Sequence, residues 1–192
     1  MGRTVRGAHP SGDGVRVIFK ETKLKGVFVI ELERIEDDRG FFARTFCRKE
    51  FEAHGLDSNL AQCSVSFNKK KGTLRGMHYQ AAPHQEAKLI RCTMGTIYDV
   101  ILDLRLGSPT FKQWEAVELS SRNSRMIFVP EGCAHGFQAL EDDCTVFYQL
   151  SEFYHPESGR GVRWDDPAFG IKWPVSVTAV SERDAAFALF DP

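Results

Sequence analysis

Residues 72–80, with the sequence GTLRGMHYQ, place an arginine and a histidine within one short strand-like run. A histidine such as His78 can act as a metal ligand, as a base in proton transfer, or as a core residue whose ring nitrogens the protein satisfies. His135, in the run PEGCAHGF at residues 130–137, raises the same question. A single histidine or tyrosine in a β core is more often structural, so the neighbouring residues must decide between these interpretations.

Further polar side chains occur in the same motifs as these two histidines. Arg75 and Lys88 supply positive charge, and Tyr148 and Tyr154 supply phenol groups. If these groups are buried together, they must bind one another or a ligand, because a buried polar group without a partner is costly. Cations beside proton donors and a base form a set that is suited to binding an anion and moving a proton.

The spacing around His78 also bears on metal binding. Gly72 followed by His78, and the Pro-x-Gly-x-x-His segment that ends at His135, are similar to two segments of the metal-binding β-barrels called cupins. In cupins a second histidine follows two residues after the first, and here Gln80 takes that place. Imidazole-rich sites need about three or four protein ligands, and the other candidate, His84, lies in a proline-containing loop. The resemblance indicates a cupin-like barrel, while the missing ligand predicts that no metal is bound.

Strands must position these residues. From Val15 onward, short apolar runs alternate with turn residues, and 15 Phe, 4 Tyr and 3 Trp favour pleated, half-buried surfaces. Helical periodicity is confined to residues 48–56 (RKEFEAHGL), where Gly55 supplies a stop signal, and to the C-terminal run SERDAAFALF. The pattern predicts an all-β barrel or sandwich with a few short helices.

The run GTIYDVILDLR at residues 95–105 shows the two-residue alternation of a strand. One face is apolar from Tyr98 to Leu104, whereas the other carries Asp99 and Asp103 between isoleucines. Two acids on such a mixed face can be functional, but charges on a solvated strand face are the commoner case. We therefore expect both carboxylates to face solvent, with a functional role as the alternative.

Composition narrows the functional classes. The 192 residues carry a net charge of -1, with 25 basic and 26 acidic residues spread along the chain, so no global field attracts nucleic acid or a membrane. The length fits a single domain, predicted at residues 15–192, after a polar, glycine-rich flexible leader at residues 1–14. Five cysteines without a CxxC pair, no secretory segment and no long apolar run predict a reduced, cytoplasmic protein.

At these residues the chain closely resembles the dTDP-4-dehydrorhamnose 3,5-epimerase family. The motifs follow the family's order along nearly the whole chain beyond the leader: LRGMHYQ (74–80), KLIRC (88–92), SPTF (108–111), PEGCAHGF (130–137), FYQLSEFYHP (147–156), RWDDPAFGIKWP (163–174) and SERDAA (181–186). The resemblance implies a double-stranded β-helix, a jelly-roll or cupin-like barrel, that forms a homodimer with exchanged N-terminal strands. It also implies a cofactor-independent enzyme that inverts C3, C5 or both in a nucleotide-linked 4-keto-6-deoxy sugar, of the dTDP-4-dehydro-6-deoxyglucose type, for deoxysugar and cell-surface polysaccharide biosynthesis.

The same resemblance assigns catalytic roles. His78 falls on the family's base, Asp184 on the carboxylate that orients this base, and Tyr148 on the acid at the opposite face of the sugar. Lys88 is expected to neutralise the developing enolate oxygen. A ketone acidifies the neighbouring C–H bonds, so a base, a cation at the oxygen and an opposing acid suffice for the reaction.

The resemblance also implies substrate-binding positions. Phe153 stands where an aromatic ring commonly stacks on the thymine, and Arg39 stands where an arginine meets the nucleotide. Departures from the family pattern occur at Arg44, Ser64 and Gly159, where the family often carries Glu, Asn and Glu, and they leave the nucleotide base and the sugar open. The complete set of candidate contacts is Arg75, His135, Arg39, Gln62, Ser64, Tyr154, Phe153, Arg183 and Arg44.

Two hypotheses from other classes remain open. The chain can be a metal-dependent cupin oxygenase or isomerase, which metal copurifying with the protein would favour. It can also be a non-catalytic sugar-binding jelly roll, for which the His78, Tyr148 and Asp184 side chains would be dispensable.

Overall fold

The computed structural model describes residues 14–190, so the first 13 residues of the predicted leader lie outside the described residues. The strands are β1 (Val17–Glu21), β2 (Phe28–Leu32), β3 (Ile35–Asp37), β4 (Gly40–Phe42), β5 (Gln62–Asn68), β6 (Leu74–Gln80), β7 (Lys88–Met94), β8 (Thr96–Asp103), β9 (Trp114–Ser120), β10 (Met126–Val129), β11 (Cys133–Ala139), β12 (Cys144–Leu150) and β13 (Gly159–Gly161). The helices are α1 (Arg48–Ala53) and α2 (Glu182–Ala185).

Two antiparallel sheets form the body of the molecule. One sheet has six strands in the order β1-β2-β10-β7-β12-β5, and the other has five in the order β13-β6-β11-β8-β9. From β5 to β13 the chain passes back and forth between the sheets, with the β8–β9 hairpin as the exception. This connectivity confirms the predicted all-β fold of the jelly-roll, cupin-like type. A separate hairpin pairs β3 with β4.

The main core lies between the two sheets. It contains inward-facing apolar residues from both, including Ile90, Ile101, Ile127, Phe137 and Val146, all at most 1% exposed. Burying each such side chain contributes roughly 1.5–3 kcal/mol relative to leaving it in water. The alternation that was visible in the sequence therefore reflects two sheets that share one interior.

Strand β8 is buried on both faces, and this corrects one expectation. Asp99 and Asp103 are both 0% exposed, so the prediction that they face solvent is wrong. The mixed face of β8 points into the barrel, beside Ile97 and Ile101. The apolar face, with Val100 and Leu102, belongs to a second apolar cluster. The C-terminal segment covers this face with Phe169, Ile171, Trp173 and Phe190.

Both helices are shorter than the sequence pattern indicated. Helix α1 ends at Ala53 because Gly55 adopts a φ of +68° and the amides of Gly55 and Leu56 bond back to the carbonyls of Glu52 and Phe51. The predicted stop at Gly55 is thus confirmed, and the last residues of the predicted helix form its cap. Within residues 14–190, no helix combines the length and apolar content needed to cross a bilayer.

Candidate active site

A cavity of about 640 Å³ opens into the barrel between the two sheets. Its wall comes from strands β5, β6, β7, β11 and β12 together with the segment around α2. The structure brings eight of the thirteen predicted site residues to this wall: Ser64, Arg75, His78, Lys88, His135, Tyr148, Arg183 and Asp184.

The closest pair in the cavity joins residues 106 positions apart in the sequence. His78 Nε2 lies 2.6 Å from Asp184 Oδ1, and the second carboxylate oxygen accepts a hydrogen bond from the Gly76 amide at 3.2 Å. The His78 side chain is 39% exposed toward the cavity, whereas the Asp184 side chain is only 3% exposed. The arrangement gives an accessible imidazole a buried carboxylate as its support.

Local structure explains how Asp184 reaches β6. The Leu74 amide donates to the Ala179 carbonyl at 2.8 Å, which ties the C-terminal segment to the start of β6. Helix α2 then begins after Ser181, whose hydroxyl caps the helix by accepting from the Asp184 amide at 3.0 Å. The start of the run SERDAA is therefore a helix cap that also aims the Asp184 carboxylate at His78.

A pair of glycines sets the approach of β6 to β11. A Cβ on Gly76 would lie 2.5 Å from the Gly136 Cα, and one on Gly136 would lie 2.8 Å from the Arg75 carbonyl oxygen. Larger residues would force the strands apart at the point where His135 lies opposite His78 in the register. The two histidines of the sequence motifs are thus cross-strand partners on one sheet.

Protonation of the His78–Asp184 pair follows from its surroundings. Burial raises the pKa of Asp184, but the hydrogen bonds from His78 and the Gly76 amide outweigh it, so the net pKa lies below its usual value. An ionised Asp184 accepts the proton on His78 Nε2, and Nδ1 is then the nitrogen with a free lone pair. The pair therefore holds the imidazole in the tautomer that a base requires.

A second histidine–carboxylate pair lies deeper in the barrel. His135 Nε2 is 2.8 Å from Asp99 Oδ2, with side chains 5% and 0% exposed. Burial raises the pKa of Asp99 in spite of the opposing effects of His135 and Lys88. The other oxygen, Oδ1, is buried without a hydrogen-bond partner in the described part of the chain. Asp99, which the sequence offered as the alternative functional acid, is thus the partner of a cavity residue.

Tyr148 reaches the cavity from β12 on the opposite sheet. Its hydroxyl lies 3.2 Å from Ser66 Oγ, and its ring meets the His135 ring edge-on at 6.3 Å. Burial raises the pKa of the phenol, and the bond to Ser66 lowers it only in part. Tyr148 is therefore protonated at neutral pH and can donate a proton.

Two cations of the cavity already have protein partners. Lys88 Nζ is 3.0 Å from Glu86 Oε1, with both side chains 9% exposed, and donates to the His78 carbonyl at 3.2 Å. Arg75 Nε donates to the buried Asn68 Oδ1 at 2.8 Å. These contacts fix the two cations at the wall before any substrate arrives, and the carboxylate of Glu86 partly offsets the charge of Lys88.

Two arginines predicted to bind the nucleotide lie away from the cavity wall of this chain. Arg39, on the β3–β4 hairpin, forms a two-point ion pair with Asp37, which lowers the pKa of that carboxyl to about 2. Arg44 donates to the Val15 carbonyl at 2.7 Å and to Glu50 at 3.1 Å. Arg44 thus joins the first described residues to α1, and its role in substrate binding stays a prediction.

The remaining predicted contacts are Gln62, which begins β5, and Phe153 and Tyr154, which follow β12. Gln62 accepts from the Tyr154 amide at 2.8 Å, and Phe153 and Tyr154 are 58% and 54% exposed. A Cβ on Gly159 would lie 3.4 Å from Arg183 Nη2 and 3.6 Å from the Tyr154 hydroxyl, so both side chains pack over this glycine. Tyr154 therefore neighbours Arg183, which lines the cavity.

Four residues that support the site were absent from the predicted set: Ser66, Asn68, Glu86 and Asp99. Ser66 and Asn68 lie two and four residues after Ser64 on β5, which the alternation of the strand places on the same face. Glu86 stands two residues before Lys88, an offset that also favours one face in an extended chain. Strand alternation around Ser64 and Lys88, both of them predicted site residues, was therefore a usable signal for three of the four.

Gln80, which replaces the second histidine of the cupin metal motif, has another use. This 2% exposed side chain donates to the carbonyls of His84 and Phe153 and accepts from the His155 amide. Its amide joins two loops, and His84 does not line the cavity. The residues that a cupin metal would need therefore do not converge in this barrel.

A jelly-roll barrel with an accessible His–Asp pair facing a tyrosine phenol defines a cupin-like enzyme site. A family model described as dTDP-4-dehydrorhamnose 3,5-epimerase matches residues 21–191. The chain belongs to the dTDP-4-dehydrorhamnose 3,5-epimerase family, and it is an epimerase of the isomerase class.

Individual members of the family align with this chain along nearly its full length. An epimerase of this name from Methanothermobacter thermautotrophicus is 44% identical over 169 residues, or 86% of this chain and 90% of the relative. The crystal structure of the enzyme from Bacillus anthracis, with TDP and PPi bound, is 39% identical, covers 91% of this chain and 100% of that one, and superposes with a TM-score of 0.88. A Legionella pneumophila epimerase in complex with dTDP-4-keto-L-rhamnose is 37% identical, covers 91% and 93%, and superposes with a TM-score of 0.84.

Proposed function

We propose that the protein inverts C3, C5 or both in a dTDP-linked 4-keto-6-deoxy sugar through an enolate, with neither metal nor organic cofactor, in deoxysugar and surface-polysaccharide biosynthesis. The observation that carries the proposal is the His78–Asp184 pair at 2.6 Å, facing the same cavity as the Tyr148 phenol. The relatives bound to TDP and to dTDP-4-keto-L-rhamnose support the choice of substrate class.

The first step is removal of the proton beside the ketone. His78 Nδ1 takes this proton, and the electron pair of the broken C–H bond delocalises onto the C4 oxygen. Asp184 stabilises the imidazolium that forms and keeps the ring in place, as carboxylate–imidazole pairs do elsewhere. Base catalysis of this kind contributes about 10²–10⁴-fold in rate.

The second step returns a proton from the opposite face. Tyr148 stays protonated at neutral pH and approaches from the other sheet, so it is the donor that inverts the carbon. Lys88 stabilises the enolate oxygen, with Glu86 setting the position of its ammonium group. Exchange with solvent in the cavity then restores both groups: the imidazolium of His78 releases its proton, and the tyrosinate of Tyr148 takes one up.

Nucleotide recognition is assigned to residues at the cavity rim and on the hairpin. Arg183 and Arg39 can pair with diphosphate oxygens, and Phe153 offers an exposed ring for stacking on the base. Because Arg39 lies away from the wall of its own chain, the proposal needs a partner subunit to bring it to a cavity. Arg39→Ala should raise KM strongly with little change in kcat; a change in folding stability alone would refute this role.

A homodimer is supported by an apolar outer surface on the six-stranded sheet. Val65 and Phe67 of β5 pair with Phe147 and Thr145, on the face opposite to Tyr148, and they are 64% and 47% exposed. Met94, which pairs with Thr145, is 45% exposed. Exposed apolar residues in a continuous group mark interaction surfaces. The exchange of N-terminal strands and the cytoplasmic location stay predictions from the sequence.

Sedimentation at micromolar concentration tests the dimer. The wild-type chain should sediment as a dimer, and Phe67→Lys should shift it toward the monomer. Leu106→Lys is the matched control, since Leu106 is 87% exposed and lies outside this surface. A monomeric wild type, or equal behaviour of the two variants, would contradict the assignment.

Incubation with a panel of nucleotide-linked 4-keto-6-deoxy sugars in D2O tests the reaction itself. NMR should show deuterium entering at C3, C5 or both, with inversion, and best with the dTDP sugar. Enzyme treated with a chelator should keep its activity. Loss of activity that only a divalent ion restores would favour the metal-dependent hypothesis. Binding of the sugars without any exchange would favour the non-catalytic hypothesis and would overturn the proposal.

A further inference from the structure

Two loops at one end of the barrel carry a compact group of potential metal ligands. His84 follows β6, and His155 and Glu157 lie between β12 and β13. Their ligand atoms all lie within 4.8 Å of one another. Glu157 Oε1 is 3.2 Å from His155 Nδ1 and 4.0 Å from His84 Nε2. We call these three residues the rim cluster.

The backbone beneath the rim cluster is held by one buried side chain. Gln80 donates to the His84 carbonyl at 3.1 Å and accepts from the His155 amide at 2.7 Å. The loops are braced further by the bonds from the His84 amide to Ala81 and from the Ser158 amide to His155. The two imidazoles are therefore brought together by the fold rather than by chance contact of mobile chains.

We propose that the rim cluster binds a late first-row divalent cation such as Zn²⁺. Two imidazoles and one carboxylate suit zinc and its neighbours better than magnesium or calcium, which prefer oxygen ligands. An ion at roughly 2.0–2.2 Å from each ligand in tetrahedral geometry separates the ligand atoms by about 3.3–3.5 Å. The observed separations of 3.2 and 4.0 Å lie close to that spacing.

Side-chain exposure allows both entry of the ion and completion of its shell. The side chains of His84, His155 and Glu157 are 34%, 30% and 66% exposed. Water can therefore fill a remaining coordination position. Glu152 Oε1 lies 4.0 Å from His155 Nε2, the ring nitrogen that points away from an ion bound through Nδ1. Such a site is open, unlike the closed four-ligand sites that fold around structural zinc.

One local rearrangement is required. The imidazole rings of His84 and His155 are stacked, with centroids 3.5 Å apart and planes 7° from parallel. Ring-nitrogen lone pairs lie in the ring planes, so the two rings must tilt for both nitrogens to point at one ion. Binding of the ion therefore separates the stacked rings, and the NMR chemical shifts of the nitrogens in these two rings should change most.

The rim cluster is separate from the proposed catalytic groups, because none of its residues lines the barrel cavity. An ion there would link the loop after β6 to the loop that carries Phe153 and Tyr154. A cation that binds only the folded chain raises the unfolding temperature by mass action. The expected consequence is a more stable rim, with chemistry that survives removal of the ion.

Calorimetry with Zn²⁺ on chelator-treated full-length protein tests the site. One ion per chain should bind, and His84→Gln or His155→Gln should weaken it at least about tenfold, by analogy with the loss of metal-site partners. Glu157→Gln should weaken binding while leaving the fold intact, because this side chain is the most exposed of the three. Nitrogen-detected NMR should show shifts at the His84 and His155 rings.

Two matched variants keep the test decisive. His54→Gln removes another exposed histidine, and His78→Ala removes the barrel imidazole; both should keep wild-type Zn²⁺ affinity. The proposal is overturned if affinity is unchanged in the rim variants, if His78→Ala abolishes binding, or if Mg²⁺ binds more tightly than Zn²⁺. Circular dichroism of each variant separates a lost site from a lost fold.

Discussion

Two histidine–carboxylate pairs face each other across β6 and β11, and they differ mainly in burial. His78 pairs with Asp184 at 2.6 Å and His135 pairs with Asp99 at 2.8 Å, while His78 and His135 are register partners. The side chain of His78 is 39% exposed and that of His135 is 5% exposed. The same two residue types thus form an exposed pair and a buried pair, and the two histidines lie on one sheet.

Burial changes the electrostatics of the two carboxylates in opposite directions. Asp184 accepts two hydrogen bonds and has a lowered pKa. Asp99 is fully buried and has a raised pKa, and one of its oxygens has no hydrogen-bond partner among residues 14–190. A charged carboxylate can support an imidazolium, but a carboxyl that burial disfavours as an anion does so less well. Two histidines in similar motifs therefore differ in exposure and in the pKa of their carboxylate, and these differences support the proposal that His78 is the base.

The largest expected difference is between the two histidines. His78→Ala should lower turnover and solvent exchange at C3 and C5 together, each by at least about 10²–10⁴-fold, because both need the enolate that the base forms. His135→Ala should retain exchange and instead lower stability by about 1–3 kcal/mol, since Asp99 loses its hydrogen-bond donor. Deuterium incorporation by NMR and urea unfolding measure the two effects. Exchange at the wild-type rate in His78→Ala would show that another group is the base.

Tyr148 separates the two faces of the intermediate. Tyr148→Phe leaves the His78 base, the ketone and Lys88 in place, so slow exchange with retained configuration should persist while inversion falls by about 10²–10⁴-fold. The proton then returns from the face that it left. A time course of deuterium content beside product configuration measures both. Equal loss of exchange and inversion would place Tyr148 on the same side as the base.

Replacing each carboxylate by its amide sharpens the comparison of the pairs. Asp184→Asn should give a rate between those of wild type and His78→Ala, because it weakens the base and disturbs its tautomer without removing it. Asp99→Asn should have the smaller effect on kcat, because its partner His135 is not the base. Steady-state kinetics with the dTDP sugar decides between them, and the reverse order would exchange the roles of the pairs.

The pH dependence of stability should have opposite signs for the same two amide variants. The lowered pKa of Asp184 stabilises the fold above the usual value of 3.8, and this contribution is lost as the pH falls through the folded-state pKa. The raised pKa of Asp99 costs stability as the pH rises from 3.8 through its folded-state pKa. The stability advantage of wild type should therefore grow with pH against Asp184→Asn and shrink against Asp99→Asn.

Urea unfolding from about pH 3 to pH 8 measures this dependence, where one unit of pKa shift corresponds to about 1.4 kcal/mol. Glu118→Gln, on an exposed part of β9, is a control that should follow the wild-type curve. Parallel curves for the two carboxylate variants would contradict the difference between the pairs.

Local patterns in the sequence were sufficient for the barrel and for part of the site. Strand alternation and turn glycines specify which residues share a face, so the all-β fold and the stop of α1 at Gly55 were predictable. The order of the motifs indicated the family, and the resemblance to that family predicted His78, Tyr148 and Asp184 as catalytic residues. Strand alternation and helix stops depend on residues that are close in sequence, and a family motif can be recognised from the residues within it.

Burial, by contrast, was decided by parts of the chain that are distant in sequence. Asp99 and Asp103 were expected at the surface, yet the mixed face of β8 points into the barrel and its apolar face lies under the C-terminal segment. Arg39 was expected at the nucleotide, but it does not line this chain's own cavity and it pairs with Asp37 on the same hairpin.

Local patterns and motif order were enough to predict the strands, the family and the types of side chain in the site. Which histidine is accessible, in which direction the pKa of each carboxylate shifts, and which partners hold Lys88 and Arg75 at the wall all depend on the tertiary structure. The physical reason is that alternation and turns act between neighbours, whereas solvent exposure and pKa depend on every group that the fold brings within hydrogen-bonding distance.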